Sequence, residues 1–250
     1  MMLLAEMTRE QARALAPEAL AVLPVGAIEQ HGPHLPVCTD TLIVEHVARA
    51  AAQAAGELTT VVAPALPFGS SHHHLPFGGT MSLSTETYYR VLVDLLESLI
   101  AGGFRRIFIV NGHGGNNELI QLAARDLALR HQAHLAAASY WTLAWEALVA
   151  EQAHLGAGLP GHAGRFETSL VQALRPELVR EPRPHRDDPA GSDARGYAPY
   201  RGELHGWWQS IGGFTDSPDL AEQQLGERYM AAIVREVAAA LRDFDRATRS

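Results

Sequence analysis

The densest chemistry in the chain lies in Glu29-Gln30-His31-Gly32-Pro33-His34, followed closely by Thr39-Asp40. Carboxylate and imidazole are ordinary ligands for zinc, manganese and iron. Glu29 and His31 stand two residues apart, so in extended backbone they share a face. A loop through Gly32 and Pro33 could bring Asp40 back beside them. Taken singly, each residue has an ordinary reading: Asp40 as a helix N-cap, Glu29 and His31 as solvated loop residues. Grouped after an apolar run and before a helical pattern, they read together as a site.

A second group is Asn111-Gly112-His113-Gly114-Gly115-Asn116. Its glycines let backbone approach a ligand closely. Gly-rich turns also cradle phosphates, but this run lacks the dinucleotide spacing and a P-loop lysine. A histidine in mid-loop suits a metal better, which makes His113 a candidate ligand and Gly114, Gly115 and Asn116 candidate substrate contacts. The third group is Gly161-His162-Ala163-Gly164, leading into Glu167-Thr168-Ser169. A helix starting near Arg165 would put Glu167 in its first turn, as a ligand or merely as a charge favourable to the helix dipole. His162 on the approach is a candidate general acid or base, because imidazole titrates near neutrality.

The fourth is the run His72-His73-His74 after Ser70-Ser71. Adjacent side chains cannot all face one ion, so one or two would contribute, and His74 is a candidate substrate contact. Cys38, near Asp40, could be a thiolate ligand but reads better as a small apolar filler. A serine nucleophile has no support, since no Gly-x-Ser-x-Gly elbow is present. Tyr140, Trp141, Trp145, Trp207 and Trp208 could line a pocket or belong to core and interfaces.

These groups need a frame that brings them together. Apolar strand-like runs alternate with helical patterns, the mark of a layered α/β domain with a mostly parallel sheet. Strands are expected over Ala19–Val25, Thr60–Ala65, Arg106–Val110 and His134–Tyr140. Helices are expected over Thr41–Ala55, Ser84–Ile100, Asn117–His131, Phe166–Leu174 and Ala221–Phe244. In such sheets ligands bind beyond the carboxyl ends of strands, which is where the first two groups fall. Arg175 to Ile211, rich in Pro, Gly, Arg and Asp, reads as surface loops rather than a boundary, so residues 1–250 are expected to form one domain.

Composition agrees. Apolar residues make up 47% of the 250, enough for a substantial core. The net charge of −8, with scattered basic residues, speaks against nucleic acid as a partner. One cysteine excludes an internal disulfide or a Cys-rich zinc site. No signal peptide is read at the start and no apolar run reaches the ~18–20 residues of a membrane span. The expectation is a cytoplasmic protein with no membrane partner.

On these residues the chain resembles the creatininase family, the creatinine amidohydrolases. The resemblance lies in Pro24 to Pro36 with Thr39-Asp40-Thr41, in His74 with Phe77-Gly78-Gly79-Thr80, in Asn111 to Asn116, and in His162-Ala163-Gly164 with Glu167-Thr168-Ser169. It implies a three-layer α/β/α fold, a homo-oligomer, often a hexamer, and two divalent ions per chain, of zinc, manganese or iron. By the resemblance Glu29 and His113 would hold one ion, His31 the other, and Asp40 would bridge them. His162 would be the catalytic acid/base. Creatininase carries a Glu where this chain has Gly115, and Glu167 is the candidate replacement. It also carries a Trp shortly before the histidine matching His162, where Gly156 to Pro160 here has no aromatic residue; this speaks against creatinine itself as substrate. Similar proteins include a formamide deformylase and a mycofactocin-maturation peptidase.

The expected function is therefore hydrolysis of a C–N bond in a small amide, cyclic amide or formamide. A metal-dependent isomerase or lyase, or a ligand-binding protein without activity, are the other classes. The full set of Glu29, His31, Asp40, His113, Glu167 and His162 argues against a mere binder.

Overall fold

The computed structural model describes residues 1–156, 158–190 and 204–249. Its elements run β1 (Met2–Leu3), α1 (Arg9–Leu15), β2 (Leu20–Val25), α2 (Thr39–Ala54), β3 (Thr60–Val62), α3 (Thr85–Ala101), β4 (Arg106–Asn111), α4 (Asn117–Arg130) and β5 (His134–Ser139). Then follow α5 (Tyr140–Leu143), α6 (Trp145–Ala150), α7 (Arg165–Leu174), α8 (Trp207–Ser210) and α9 (Gln223–Thr248). All neighbouring strands are parallel, in the order β1-β3-β2-β4-β5.

Strand periodicity builds the three layers. Along β2, Leu20 and Val22 point to one core and Ala21, Leu23 and Val25 to the other; along β4, Phe108 and Val110 oppose Ile107 and Ile109. The first core is closed by α2, α7 and α9 through residues such as Val44, Val47, Leu170, Tyr229 and Ile233. The second is closed by α3 and α4 through Tyr88, Leu92, Leu96, Ile120 and Leu127. Strands covered on both faces need no polar alternation, so β2 and β4 are buried throughout.

The strand order fixes where a site can form. The chain leaves β2 toward β3 on one side and leaves β4 toward β5 on the other. The carboxyl ends of β2 and β4 therefore flank the topological switch point, where diverging loops open a crevice.

Several elements differ from the sequence expectation. Helix α2 begins at Thr39 rather than Thr41, because the Thr39 amide and hydroxyl both donate to the Pro36 carbonyl and start the turn early. Tyr140 opens α5 instead of ending β5. Strand β1 and helix α1 were missed. The latter is a two-turn helix whose start relies on a Thr8–Gln11 capping box rather than an apolar stripe. Within the expected Arg175 to Ile211 loops lie a turn of 3-10 helix at Pro176–Leu178 and the short α8; residues 191–203 of that expectation fall outside the described residues. Among the described residues no helix is long and apolar enough to cross a membrane.

Candidate metal centre

Loops following β2 and β4 meet over the switch point. Glu29, His31, Asp40, His113, His162 and Glu167 are all buried there, together with His74. Asp40 sits in the first turn of α2, whose N-cap is Cys38, so it is not the cap. Its Oδ1 lies 3.1 Å from His31 Nε2 and its Oδ2 3.0 Å from His113 Nδ1. Glu29 Oε1 lies 3.2 Å from His113 Nδ1, and Glu167 Oε2 lies 3.7 Å from His31 Nε2. Two ligand-like groups result: Glu29, His73 and His113 on one side, and His31, Asp40 and Glu167 on the other. Glu29 and His31 also form a third group with His162.

The far side of each imidazole ring is held by backbone. His31 Nδ1–H donates to the Glu29 carbonyl at 3.1 Å, which leaves Nε2 as the ring nitrogen turned toward Asp40 and Glu167. His113 Nε2–H donates to the Ser70 carbonyl at 3.2 Å, with Ser71 Oγ at 3.1 Å, which leaves Nδ1 as the ring nitrogen turned toward Glu29 and Asp40. A carbonyl that fixes the tautomer is the usual support behind a metal-ligating histidine.

The electrostatics fit a cation. Among the described residues, the carboxylates of Glu29, Asp40 and Glu167 have only histidines as ion-pair partners. Burial opposes charge on His31, yet the pull of Asp40, Glu167 and Glu29 prevails and lifts its pKa to about 10. His113 is likewise raised against burial by Glu29 and Asp40. Asp40 is held low by His31 and His113 despite its burial. Glu167 moves the other way: burial, aided by the charges of Asp40 and Glu29, outweighs His31 and raises it to about 8. Buried Glu29 Oε2 and Asp40 Oδ2 have no hydrogen-bond partner of good geometry. Three carboxylates gathered in one dry crevice, with orphaned oxygens and protons on histidines supplying the positive charge, are what a divalent cation would satisfy.

Helix α7 delivers Glu167. Its first turn is closed by Asp216, which accepts from the Arg165 amide at 2.7 Å. Ala163 takes a left-handed φ of 50°, and its amide donates to Glu167 Oε2 at 2.6 Å. A non-glycine residue in that region is strained, and here the strain aims a donor at the carboxylate. Just before it, His162 is buried, which drives its pKa well below the ordinary value, so the ring is neutral. Its Nε2–H donates to the Gln30 carbonyl at 2.9 Å, and its Nδ1 lies 3.6 Å from Glu29 Oε1. His74 is buried beside it, the two rings stacked with centroids 4.3 Å apart.

The expected substrate contacts divide. Gly114 faces open space. Asn116 is fully buried; its amide hydrogens go to the Gly26 carbonyl and Asn111 Oδ1, and its Oδ1 accepts from the Ser70 amide. That geometry braces three loops and leaves no amide hydrogen for a ligand. At Gly115 a Cβ would overlap the Ser70 carbonyl oxygen and lie 2.5 Å from His113 Nε2. The glycine therefore allows Ser70 to reach His113. Gly115→Ala is expected to weaken metal binding about 10- to 100-fold, the usual scale for disturbing a ligand's support; competition against a chelator measures it, and unchanged affinity would show that the close approach is dispensable.

Of the aromatic set, Tyr140 and Trp141 are core and Trp145 is partly exposed, while Trp208 packs edge-on against His74 and His162, at 4.5 and 5.1 Å between centroids. Asp216, Gly213 and the side chain of Gln30 were not singled out from sequence. The first two lie just beyond the irregular stretch, where no periodicity signals a role. Gln30 carries no titratable group, although its place between Glu29 and His31 was a signal.

An all-parallel sheet with histidines and carboxylates gathered over its switch point defines a class: three-layer α/β/α proteins with a buried centre suited to divalent cations. The family model for creatininase, described as creatinine amidohydrolase, matches residues 5–241. The chain belongs to the creatininase family. It is 36% identical over 164 residues to the mycofactocin precursor peptide peptidase of Mycobacterium ulcerans, covering 63% of this chain and 59% of that protein. It is 34% identical over 187 residues to the creatinine amidohydrolase of Pseudomonas putida, covering 68% of this chain and 69% of that one. A solved structure described as creatininase Mn superimposes with a TM-score of 0.81 at 29% identity, covering 97% of this chain and 98% of its own.

Proposed function

We propose that the protein is a metal-dependent amidohydrolase that hydrolyses a C–N bond of a small amide, cyclic amide or formamide. The observation that carries this reading is the gathering of Glu29, Asp40 and Glu167 around His31 and His113, each histidine backed by a carbonyl and turned with its other ring nitrogen inward. Glu29 and His113 would hold one divalent ion, His31 and Glu167 the other, with Asp40 between them. Manganese is supported by the relative solved with it; zinc and iron suit the same donors. When bound, such ions acidify a water and polarise a carbonyl.

The protein's own groups do the rest. His162, neutral and with Nδ1 bare, would take a proton from the attacking water and deliver it to the departing nitrogen. Such a role is typically worth about two to four orders of magnitude in rate. The buried rings of His74, His162 and Trp208 wall the crevice and keep bulk water from competing. Trp208, packed against His74 and His162, supplies an aromatic surface beside the crevice that the Gly156 to Pro160 stretch lacks. A homo-oligomer, by family resemblance a hexamer, and a cytoplasmic location belong to the same reading.

Elemental analysis of wild type and of Glu167→Gln tests the assignment. About two ions per wild-type chain, falling toward one in the variant, is the expected result. Product formed in 18O-labelled water should carry the label. A chain that takes up no metal after loading, or a product without label, would overturn the hydrolase reading.

A further inference from the structure

Gln30 stands between Glu29 and His31 in sequence, yet its side chain serves two other residues. Its Oε1 accepts from the Gly32 amide at 2.9 Å, which fixes which end of the side-chain amide is nitrogen. Nε2 then faces three groups: the Gly213 carbonyl at 2.9 Å, His74 Nδ1 at 3.0 Å and His162 Nε2 at 3.0 Å. An amide nitrogen carries only two hydrogens. The competition is decided by His162, whose Nε2 also lies 2.9 Å from the Gln30 backbone carbonyl. A carbonyl can only accept, so His162 carries its proton on Nε2 and cannot accept from the amide. The two amide hydrogens go to Gly213 and to His74 Nδ1. His74 must therefore carry its own proton on Nε2.

The consequence is a division of labour between two stacked rings. His162 turns a bare Nδ1 toward the centre, 3.6 Å from Glu29 Oε1. His74 turns an N–H toward the same oxygen, at 3.7 Å; this Nε2 is buried, 1% exposed as a residue, and has no hydrogen-bond partner. A buried donor aimed into a site and left unpaired is costly unless something arrives to accept from it.

We propose that Gln30 is a positioning residue that sorts His74 and His162 into donor and acceptor, so that His74 Nε2–H holds the substrate's carbonyl oxygen while His162 Nδ1 handles the proton. The role of His74 rests on the hydrolase reading; the sorting itself does not. The surroundings enforce it. Thr80 Oγ1 accepts from the Gln30 amide at 3.1 Å and donates to the His74 carbonyl at 3.2 Å, tying the two backbones together. Gly213 has a φ of 76°, and a Cβ there would lie 2.7 Å from Gln30 Oε1, so only glycine lets this segment reach the amide.

The test is 15N NMR of ring-labelled histidines in the zinc-loaded protein, which is diamagnetic. Each of the 13 histidines is assigned by single His→Gln changes. In wild type, both His74 and His162 should be protonated on Nε2 and bare on Nδ1. Gln30→Glu replaces the donor to His74 by an acceptor, so His74 Nδ1 should become protonated. In Gln30→Leu, His162 should keep its proton on Nε2 because the backbone carbonyl remains, while His74 loses its fixed tautomer. Turnover of Gln30→Leu should fall at least ~10-fold in kcat with metal content retained, the low end of acid/base and positioning effects. A wild-type His74 protonated on Nδ1 overturns the proposal without reference to any variant, so misfolding of a variant cannot shield it. Wild-type tautomers as assigned, in a protein without turnover on amides, would overturn the role of His74 and the hydrolase reading together, yet leave the sorting in place.

Discussion

Asp40→Ala is expected to strip the protein of both ions at once. Asp40 offers one oxygen to each half of the centre, Oδ1 at 3.1 Å from His31 and Oδ2 at 3.0 Å from His113. No other carboxylate among the described residues pairs with both rings. Removing it leaves each half short of a ligand and uncovers two buried imidazoles. The loss of affinity should exceed by far the ~10–100-fold typical of changes behind a ligand. In the metal-free state a second readout follows. His31 is held at about 10 against its burial, with Asp40 the largest upward contribution. Without Asp40 its ring should give up its proton at lower pH, which NMR titration would register. A variant that keeps two ions after dialysis would show that Asp40 does not bridge.

His162→Ala should behave in the opposite way: metal content nearly intact, turnover reduced at least ~100-fold, as for loss of a positioned acid/base. The separation is informative because His162 could also complete a ligand group with Glu29 and His31. Its Nδ1 is 3.6 Å from Glu29, farther than either His31 or His113 stands from its nearest carboxylate. That distance suits a group facing the reacting water rather than one bonded to an ion. Loss of one ion in the variant would make His162 a ligand, and full turnover would remove it from the chemistry.

How much of this was legible before the fold was known depends on where each residue sits. Glu29, His31 and His113 lie in the loops after buried strands, at the carboxyl ends where a crevice forms, so their neighbourhood was announced by the strand pattern. Asp40 was harder, since a carboxylate at a helix start is most often a cap; only the early start of α2 at Thr39 turns it inward. Glu167 was balanced between dipole charge and ligand. What decides its orientation is the left-handed Ala163 and the Asp216 that closes the helix, neither of which has a local signature. Gln30 was hard to read for a different reason: its proposed function is to arrange hydrogens on two histidines far away in sequence, and no spacing rule encodes that. Asn116 was misread because a polar residue in a Gly-rich loop looks available, whereas its amide is already committed. The layers themselves were the easiest part, because doubly covered parallel strands are apolar throughout.

The close fit around Gly115 bears on how such centres change over generations. A carboxylate at that position, as the resemblance assigns to creatininase, and a carboxylate from α7 are two solutions to the same electrostatic problem. In this chain the first solution has been closed off, because the volume a side chain would need is filled by the Ser70 carbonyl and the His113 ring. Gly115→Glu alone would push aside an existing ligand before offering a new one. On the proposed ligand set, the glycine and the carboxylate on α7 therefore depend on each other: while Ser70 and His113 fill the space beside Gly115, Glu167 is the carboxylate the centre relies on.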